Sequence, residues 1–326
     1  MVTKVKIRTE DIIDKSFRFL INPSWYQFTV TFETHLYQQP EYMALFSDSE
    51  RISFGIARSD QPELLAFISF QLNSGRACSG VGKPFGSLDF SQYINEDVLY
   101  RFLLFVEQQL KAIGLQYVEM RLPALAYQPS KVGVWQKVLA DRSYRQLEFA
   151  VNHHLQVNAT PFEQGIHTME QRRLMKCKKM RFQVEKADSE DLSEIYHFIK
   201  ACREERGQSL SLSWEEMRTA ALAFPQAYLL FKTTLNGALV AAAIVVRVNQ
   251  RILYNFYPAS GLRYQSYSPQ VILLEYIYQY AQKHHYEILD LGTSMVAGEP
   301  KASLINYKER VGGISTAKLC FDKSLI

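Results

Sequence analysis

The chain has 326 residues, which is enough for about two domains of ordinary size. Charged residues make up 21% of the chain and hydrophobic residues 47%, a composition that excludes a mainly disordered protein. The net charge of only +4 gives no indication of DNA binding.

Several features together predict a cytoplasmic protein without a membrane span. The N-terminal residues lack the apolar run of a secretory signal, and the longest uncharged apolar stretch, Thr233–Val246, has 14 residues where a span needs about 20. The four cysteines are scattered, so we expect free thiols and no metal. The adjacent pair His153 and His154 is not a metal clamp by itself, because neighbouring side chains point in different directions.

The first elements that the pattern predicts are a hairpin and a long helix. The hairpin covers Glu63–Gly80 and turns at Asn73–Gly75, and the amphipathic helix covers Glu96–Ile113. Gly114 follows at the position where a helix end favours glycine. A short strand then ends near Pro123.

The middle of the chain predicts a domain boundary between Thr160 and Thr168, which gives domains 1–160 and 161–326. A basic helix follows, with Thr168 and Gln171 as its expected capping box. Its cations, from Arg172 to Arg181, could contact phosphate groups or could form an ordinary solvated face. A third helix begins at a second capping box, Ser213 and Glu216.

The order of hairpin, helix and strand then recurs, which predicts two similar domains in tandem. Another hairpin turns at Asn249–Gln250, and another amphipathic helix starts at Pro269 after Ser268. At a constant offset of 171 residues, Phe102 corresponds to Leu273 and Glu119 to Asp290.

An ordered set of segments resembles the FemABX-like branch of the GNAT acyl-CoA N-acyltransferases. The segments are KPFGS at 83–87, the basic helix RRLMKCKKMRFQVEKA, the helix and strand SPQVILLEYIYQYAQKHHYEILDLG, and LINYKERVGG at 304–313. The resemblance implies an α/β (α+β) fold of two tandem GNAT-like domains. Each domain would have a mixed, mostly antiparallel sheet flanked by helices.

The resemblance also implies an activity, the transfer of an acyl or aminoacyl group to a primary amine. The acceptor would be a small molecule, an amino sugar or a peptide. The donor would be acyl-CoA or an aminoacyl-tRNA, so we expect no permanently bound cofactor, with acyl-CoA as a co-substrate. The alternative is a non-catalytic ligand-binding protein on a degenerate GNAT scaffold, because a fold does not by itself imply an activity.

Four residues are candidates for catalysis. Lys308 occupies the family's closing lysine position and could stabilise an oxyanion, or could be a solvated surface lysine. Tyr254 and Tyr257 could donate a proton to the leaving group, or could simply fill a strand. Asp290 could be a general base, or could hydrogen-bond the turn at Thr293 and Ser294.

The loop before the amphipathic helix that starts at Pro269 is the predicted donor site. Its residues Arg263, Gln265, Ser268 and Gln270 stand where the family binds the CoA diphosphate at a helix N-terminus. The loop GLRYQSYSPQV has serines in place of the usual glycines, which favours the non-catalytic alternative. A second glycine-rich segment, with Gly80, Gly82 and Gly86, fits no phosphate-loop spacing and predicts a shaped loop.

Overall fold

A computed structural model describes the backbone of residues 10–14 and the chain at 16–46, 50–80, 83–86, 88–296 and 298–326. The chain forms two compact units. The first comprises Met1–Phe149 with Ala317–Ile326, and the second comprises Ala150–Thr316.

These units differ from the predicted ranges, 1–160 and 161–326, at both ends of the second unit. The reason is strand pairing. The last strand of the chain hydrogen-bonds with Tyr117–Ala124 of the first unit, and residues 152–156 pair with the strand Ile288–Thr293 of the second unit. Hydrophobic periodicity predicts neither of these pairings, because it identifies strands and not the strands with which they pair.

Among its described residues, the first unit has mostly antiparallel strands and three α-helices. Its strands are β1 Glu10–Asp14, β2 Phe17–Ile21, β3 Thr29–Val30, β4 Arg51–Arg58, β5 Glu63–Asn73, β6 Arg76–Cys78, β7 Asp89–Phe90 and β8 Tyr117–Ala124. Its helices are α1 Pro40–Ala44, α2 Glu96–Ala112 and α3 Pro129–Asp141. Neighbours β1, β2, β4, β5 and β6 pair antiparallel, whereas β6 and β8 pair parallel.

The predicted apolar face of α2 is confirmed. Phe102, Phe105, Val106 and Leu110 are at most 3% exposed and belong to the first core. Gly114 ends this helix with φ of +86°, a conformation that glycine adopts without steric cost.

In the glycine-rich segment of the first unit, Gly80 lies close to Gly86. A Cβ atom on Gly80 would lie 2.1 Å from the backbone nitrogen of Gly86, so only glycine fits at this close approach of the backbone. Gly82 and Ser87 of this segment lie outside the described residues. The interpretation of a shaped loop fits this geometry.

The second unit has five α-helices among the described residues, together with the strands that follow. Its strands include the end of β9 Arg145–Gln156, then β10 Gln183–Ala187, β11 Tyr228–Leu235, β12 Ala238–Arg247, β13 Ile252–Ser260, β14 Ile288–Thr293, β15 Met295–Val296 and β16 Glu299–Pro300. Its helices are α4 Thr168–Lys179, α5 Leu192–Glu204, α6 Trp214–Ala223, α7 Pro269–Lys283 and α8 Ala302–Arg310. The last strand of the chain is β17 Ile314–Ser324.

Two capping boxes were predicted at the N-termini of helices in the second unit, and the structure tests both. The box at Ser213 and Glu216 is confirmed, because each side chain bonds the backbone of the other residue. The box at Thr168 and Gln171 is wrong, because the helix begins one residue earlier. His167 is its N-cap, and its Nδ1 accepts a hydrogen bond from the backbone N–H of Met169.

The core of the second unit lies between α7 and the sheet. The predicted stripe of Leu273, Leu274, Ile277 and Ala281 is at most 3% exposed. Strands β10 to β13 pair antiparallel in chain order, β13 and β14 pair parallel, and β14 pairs antiparallel with β9. The described strands of each unit therefore pair in a mixed, mostly antiparallel way beside helices, as the resemblance to the GNAT fold implies.

Candidate functional site

Two neighbouring strands of the second unit part in the middle of the sheet. Strands β13 and β14 pair over three positions, the last of which joins Tyr254 with Asp290. Beyond it, β13 continues along β12 as far as Ser260, and β14 continues along β9. The register of β12 and β13 also shifts beside Ile244, which leaves Phe256 as an extra, bulged residue. The backbone of β13 is therefore open on its β14 side.

A cavity of about 500 Å³ lies at this opening, within the usual range for small-molecule sites. Its apolar wall comes mainly from α7 and β14, and its polar groups come from the end of α5, from β13, from the start of α7 and from α8 with the residue before it. Four of its described lining residues are cationic and none is acidic. The side chains that matter below are Arg203, Arg206, Asn255, Gln270, Lys301 and Lys308.

Lys308 is buried in the wall of this cavity, and the interpretation as a solvated surface lysine is wrong. Its side chain is 6% exposed, and its Nζ donates hydrogen bonds of 2.8 Å to the carbonyl oxygens of Gly292 and Thr293. An ammonium has three N–H donors, and the third finds no acceptor among the described residues. That donor is available to a ligand in the cavity.

Burial also changes the proton affinity of Lys308. Loss of hydration lowers the pKa of its ammonium to about 8, since the charged form is disfavoured away from water. The carboxylate of Asp290 opposes this shift, and the guanidinium of Arg203 adds to it. Lys308 is therefore mostly protonated at neutral pH and loses its charge in mildly alkaline solution.

The end of α8 fixes the backbone of Lys308. Its carbonyl oxygen accepts a 2.8 Å hydrogen bond from the backbone N–H of Gly313. A Cβ atom on Gly313 would lie 2.5 Å from this oxygen, a separation that real Cβ atoms do not show. The closing glycines of the NYKERVGG segment therefore permit the close approach that places Lys308.

Asp290 supports the carbonyl groups that hold Lys308. It is 3% exposed, and its Oδ1 accepts hydrogen bonds from the backbone N–H of Gly292 at 2.7 Å and from Nδ2 of Asn152 at 2.8 Å. This is the predicted turn role, with Gly292 as the partner in place of Thr293 and Ser294. Gly292 has a φ of +75°, which glycine accommodates best.

Two residues of β9 join this site, and the sequence analysis assigned a role to neither. Asn152 bonds Asp290, and Nδ1 of His153 lies 3.0 Å from Oγ of Ser294. Burial lowers the pKa of His153, and the charge of Lys308 adds to that effect. The adjacent histidines were the available signal, but their placement depends on the pairing of β9 with β14.

The two predicted catalytic tyrosines are not among the described residues that line the cavity. The ring of Tyr254 packs on Gly292, 3.2 Å from where a Cβ would stand. The hydroxyl of Tyr257 lies 2.6 Å from Oγ of Ser211 and accepts a 2.9 Å hydrogen bond from the backbone N–H of Leu212. Burial raises the pKa of both tyrosines.

Three of the four residues predicted to bind the donor line the cavity, namely Gln265, Ser268 and Gln270. Ser268 is the N-cap of α7 in a left-handed conformation, with φ of 55°, and its hydroxyl makes no capping bond. The fourth, Arg263, is outside the lining and stacks its guanidinium on Tyr264 at 4.6 Å.

Gln270 covers the open edge of β13. With its amide oxygen turned toward the strand, it accepts hydrogen bonds from the backbone N–H groups of Ala259 at 3.1 Å and Ser260 at 3.2 Å. Backbone donors that would otherwise face the cavity are thereby satisfied by a side chain.

The basic helix α4 contributes none of the described residues that line the cavity. Part of its charge is paired within the unit. The carboxylate of Glu170 is fully buried and accepts hydrogen bonds from Arg173 at 2.7 Å and Arg310 at 3.0 Å. Lys178 bonds Glu275 at 2.8 Å.

The thiols, metal ligands and helix lengths can be stated for the described part of the chain. Cys78, Cys177, Cys202 and Cys320 form no disulfide. Within those residues, no group of three His, Cys, Asp or Glu side chains is placed to hold a metal ion. No helix found there is long and apolar enough to cross a membrane.

Comparison with known proteins supports the same fold. Residues 167–309, which include the whole cavity lining, match the family described as Acetyltransferase (GNAT) domain. A search of curated protein sequences finds no match.

Solved structures with this fold share little sequence with the chain. FemX is 11% identical, with a TM-score of 0.69 over 89% of this chain and 92% of FemX. A tandem GNAT protein from the clavulanic acid biosynthesis pathway is 8% identical, with a TM-score of 0.53 over 86% and 84% of the two chains. L-PGS from Bacillus licheniformis is 12% identical, with a TM-score of 0.53 over 79% and 80%. The chain is thus a GNAT-fold protein that resembles the FemABX-like family.

Proposed function

We propose that the protein is an N-acyltransferase that moves an acyl or aminoacyl group to a primary amine. The observation that carries this proposal is the buried ammonium of Lys308, which is fixed by two carbonyl groups and keeps one N–H donor for the cavity. A preorganised positive donor of this kind stabilises negative charge that develops on a carbonyl oxygen. The acceptor would be a small molecule, an amino sugar or a peptide.

The proposed reaction begins with the neutral amine of the acceptor attacking the carbonyl carbon of the donor. A C–N bond forms, and the carbonyl oxygen becomes an oxyanion. This oxyanion accepts a hydrogen bond from the third N–H of Lys308. The bond to the leaving group then breaks, which is a thioester C–S bond for acyl-CoA or an ester C–O bond for aminoacyl-tRNA. The amine loses one proton and the leaving group gains one, so the reaction is balanced. Of the two predicted proton donors, Tyr254 stays the candidate for this step, because the hydroxyl of Tyr257 is already bonded to Ser211 and Leu212.

The donor site would lie along β13 and the start of α7. Gln265, Ser268 and Gln270 line the cavity on this side, whereas the predicted contact from Arg263 would need its side chain to leave Tyr264. A donor with amide groups could pair with the backbone of β13 once Gln270 moves away. Acyl-CoA is therefore proposed as a co-substrate and not as a permanently bound cofactor.

A non-catalytic ligand-binding protein is the second candidate. The observation that favours it is again Gln270, which occupies the backbone donors of β13 that an extended donor would use. The left-handed Ser268, in a loop without the usual glycines, points in the same direction.

One experiment separates these two functions. The full chain is screened by thermal shift with CoA, acetyl-CoA, longer acyl-CoA esters and UDP-sugars, since a ligand that binds only the folded state raises the melting temperature. Donors that bind are then incubated with primary amines, and amide products are measured by mass spectrometry, with aminoacyl-tRNA tested in parallel. Amide formation that depends on the protein supports the transferase. Ligand binding without any amide product from either class of donor favours the binding protein.

The expected cytoplasmic location is also part of this proposal. It depends on the scattered cysteines, which form no disulfide in the structure, and on CoA or tRNA as an intracellular donor.

A further inference from the structure

We propose that the amine acceptor carries an anionic group, a carboxylate or a phosphate, which Arg203 and Arg206 bind inside the cavity. This inference rests on the proposed function and adds the chemical class of the acceptor. It starts from charges in the cavity wall for which the described residues supply no counterion.

Arg203 lies in the last turn of α5, and Arg206 lies in the turn that directly follows the helix. Both line the cavity. Arg203 donates to Oε1 of Gln208 at 2.8 Å and to the carbonyl oxygen of Pro258 at 3.2 Å. Arg206 donates to the carbonyl oxygen of Ser260 at 2.8 Å and to that of Cys202.

All of these acceptors are neutral. Among the described residues, neither guanidinium has a carboxylate within ion-pair distance, in contrast to Arg142, Arg173 and Arg310 of the same chain. Arg203 is partly buried, whereas Arg206 is exposed. A partly buried cation without a counterion is unfavourable, so folded proteins usually pair it. A guanidinium has five N–H donors, and each of these two has donors left for a planar anion.

The two guanidiniums also disfavour each other. Burial lowers the pKa of Arg203, and the positive charge of Arg206 adds to the effect. Lys301 and Lys308 raise the positive charge of the same wall further. The charge of Asp290 raises the pKa of Lys308, but this carboxylate already accepts hydrogen bonds from Asn152 and Gly292. An anion from the substrate would complete this arrangement.

A separate observation indicates that the same ligand carries an N–H group. Asn255 lines the cavity and is 8% exposed, yet its Oδ1 has no hydrogen-bond partner among the described residues. A buried carbonyl oxygen without a donor costs free energy that a ligand N–H would recover. The amine that attacks the acyl group is such a donor. The positive cavity also favours the neutral, nucleophilic form of that amine over the ammonium.

The test measures binding, so that it does not depend on turnover. β-Alanine and O-phosphoethanolamine represent the two anions, and ethanolamine is the matched amine without one. Each is titrated by calorimetry, with sodium chloride holding the ionic strength constant, into the wild type, Arg203→Gln, Arg206→Gln and the control Arg218→Gln. Arg218 is exposed on α6 and pairs with Glu215, outside the cavity lining.

We expect the wild type to bind at least one anionic amine about 10-fold or more tightly than ethanolamine. Arg206→Gln should weaken that binding by about 10-fold or more, because one charge-assisted contact is lost, while Arg218→Gln leaves it unchanged. The relative affinity of β-alanine and O-phosphoethanolamine then identifies the anion. Arg203→Gln repeats the test from the more buried position, and its melting temperature without ligand reports whether it folds.

The inference is overturned if ethanolamine binds as tightly as both anionic amines, or if Arg206→Gln binds them as the wild type does. Absence of binding by all three probes at tens of millimolar also overturns it. These outcomes are distinct from failure of the proposed function. Transfer to ethanolamine and to anionic amines at equal rates would leave the transferase standing without the anion site. Binding that depends on the arginines, without any transfer, would support the anion site and contradict the transferase.

Discussion

The Nζ atom of Lys308 lies 2.8 Å from the carbonyl oxygen of Gly292, which joins α8 to the end of β14. The backbone N–H of the same glycine is held by Asp290, and its left-handed conformation turns the strand end toward the lysine. The ammonium of Lys308 is thus fixed by hydrogen bonds to backbone carbonyl groups at the end of β14. This rigidity is what electrostatic stabilisation of a transition state requires.

Lys308→Met should therefore abolish most of the acyl transfer while the protein still folds. Methionine fills a similar volume but removes the charge, and loss of one oxyanion donor typically costs about 10²–10³ in turnover. Two carbonyl groups lose their donor, so we also expect a loss of about 1–3 kcal/mol in the free energy of unfolding. Turnover is measured well below the melting temperature with the best donor and amine pair.

Lys283→Met is the control for this change, since Lys283 is an exposed residue in the last turn of α7. It should keep wild-type turnover. If Lys308→Met also keeps it, the ammonium is structural and the proposed mechanism is wrong.

The pKa of Lys308 predicts a pH profile. Turnover should fall above pH about 8, as the ammonium loses its proton and its stabilising charge. The residual activity of Lys308→Met should lack this descending limb. A wild-type kcat that stays constant up to pH 10 would contradict the assignment.

The same shift predicts an opposite effect on stability. The pKa of Lys308 is lower in the fold than in the unfolded chain, so between pH about 8 and about 10.5 the unfolded state binds more protons. The free energy of unfolding of the wild type, relative to Lys308→Met, should therefore rise through this window. At pH about 9.5 the gain would approach about 2 kcal/mol. Urea unfolding of both proteins at pH 7 and at pH 9.5 measures it.

Gly313→Ala should disturb the site through the backbone. The added Cβ would meet the carbonyl oxygen of Lys308 at 2.5 Å, so the end of α8 must shift. We expect a loss of about 1–3 kcal/mol in stability, together with reduced turnover. Gly133→Ala is the matched control, because its Cβ meets no atom within 4 Å and alanine favours the exposed helix position. Equal melting temperatures for the two variants would contradict this prediction.

Much of the second unit could be predicted from the sequence because its signals are local. The stripe of α7 follows helical period, and the closing NYKERVGG segment was recognised by its residues. The burial of Lys308 could not be predicted, because it depends on carbonyl groups at the end of β14. Lysine alone indicates exposure in most folded chains.

Longer-range features were missed for the same reason. His153 reaches Ser294 only because β9 pairs with β14, and Asn255 enters the cavity only because β13 parts from β14. Strand order and register arise from the packing of the whole unit, which no short window of sequence contains.

Tyr257→Phe separates a structural role for Tyr257 from the predicted catalytic one. The hydroxyl bonds Ser211 and the backbone N–H of Leu212, so its removal should lower the free energy of unfolding by about 1–3 kcal/mol. Turnover measured below the melting temperature should change by less than about 10-fold, short of the loss expected when a general acid is removed. A loss of about 10² or more would instead identify Tyr257 as the proton donor.

Gln270→Ala tests whether the open edge of β13 is the donor site. The change removes the acceptor of two backbone N–H groups, those of Ala259 and Ser260, which then face the cavity. Water can reach them there, so the stability loss should be small, about 1 kcal/mol. A donor that pairs with this edge no longer has to displace the glutamine. Its affinity, measured by calorimetry with acyl-CoA esters, should therefore increase.

Gln282→Ala is the control, because the side-chain amide of Gln282 also bonds the backbone but lies outside the cavity lining. It donates to the carbonyl oxygens of Asn158 and Thr160. Gln282→Ala should leave donor affinity unchanged. A lower acyl-CoA affinity in Gln270→Ala would mean that Gln270 contacts the donor directly, as the sequence predicted. If neither the wild type nor Gln270→Ala binds any acyl-CoA ester or aminoacyl-tRNA, then β13 does not hold a donor. The non-catalytic function would be preferred, because the obstruction would have been removed without restoring the site.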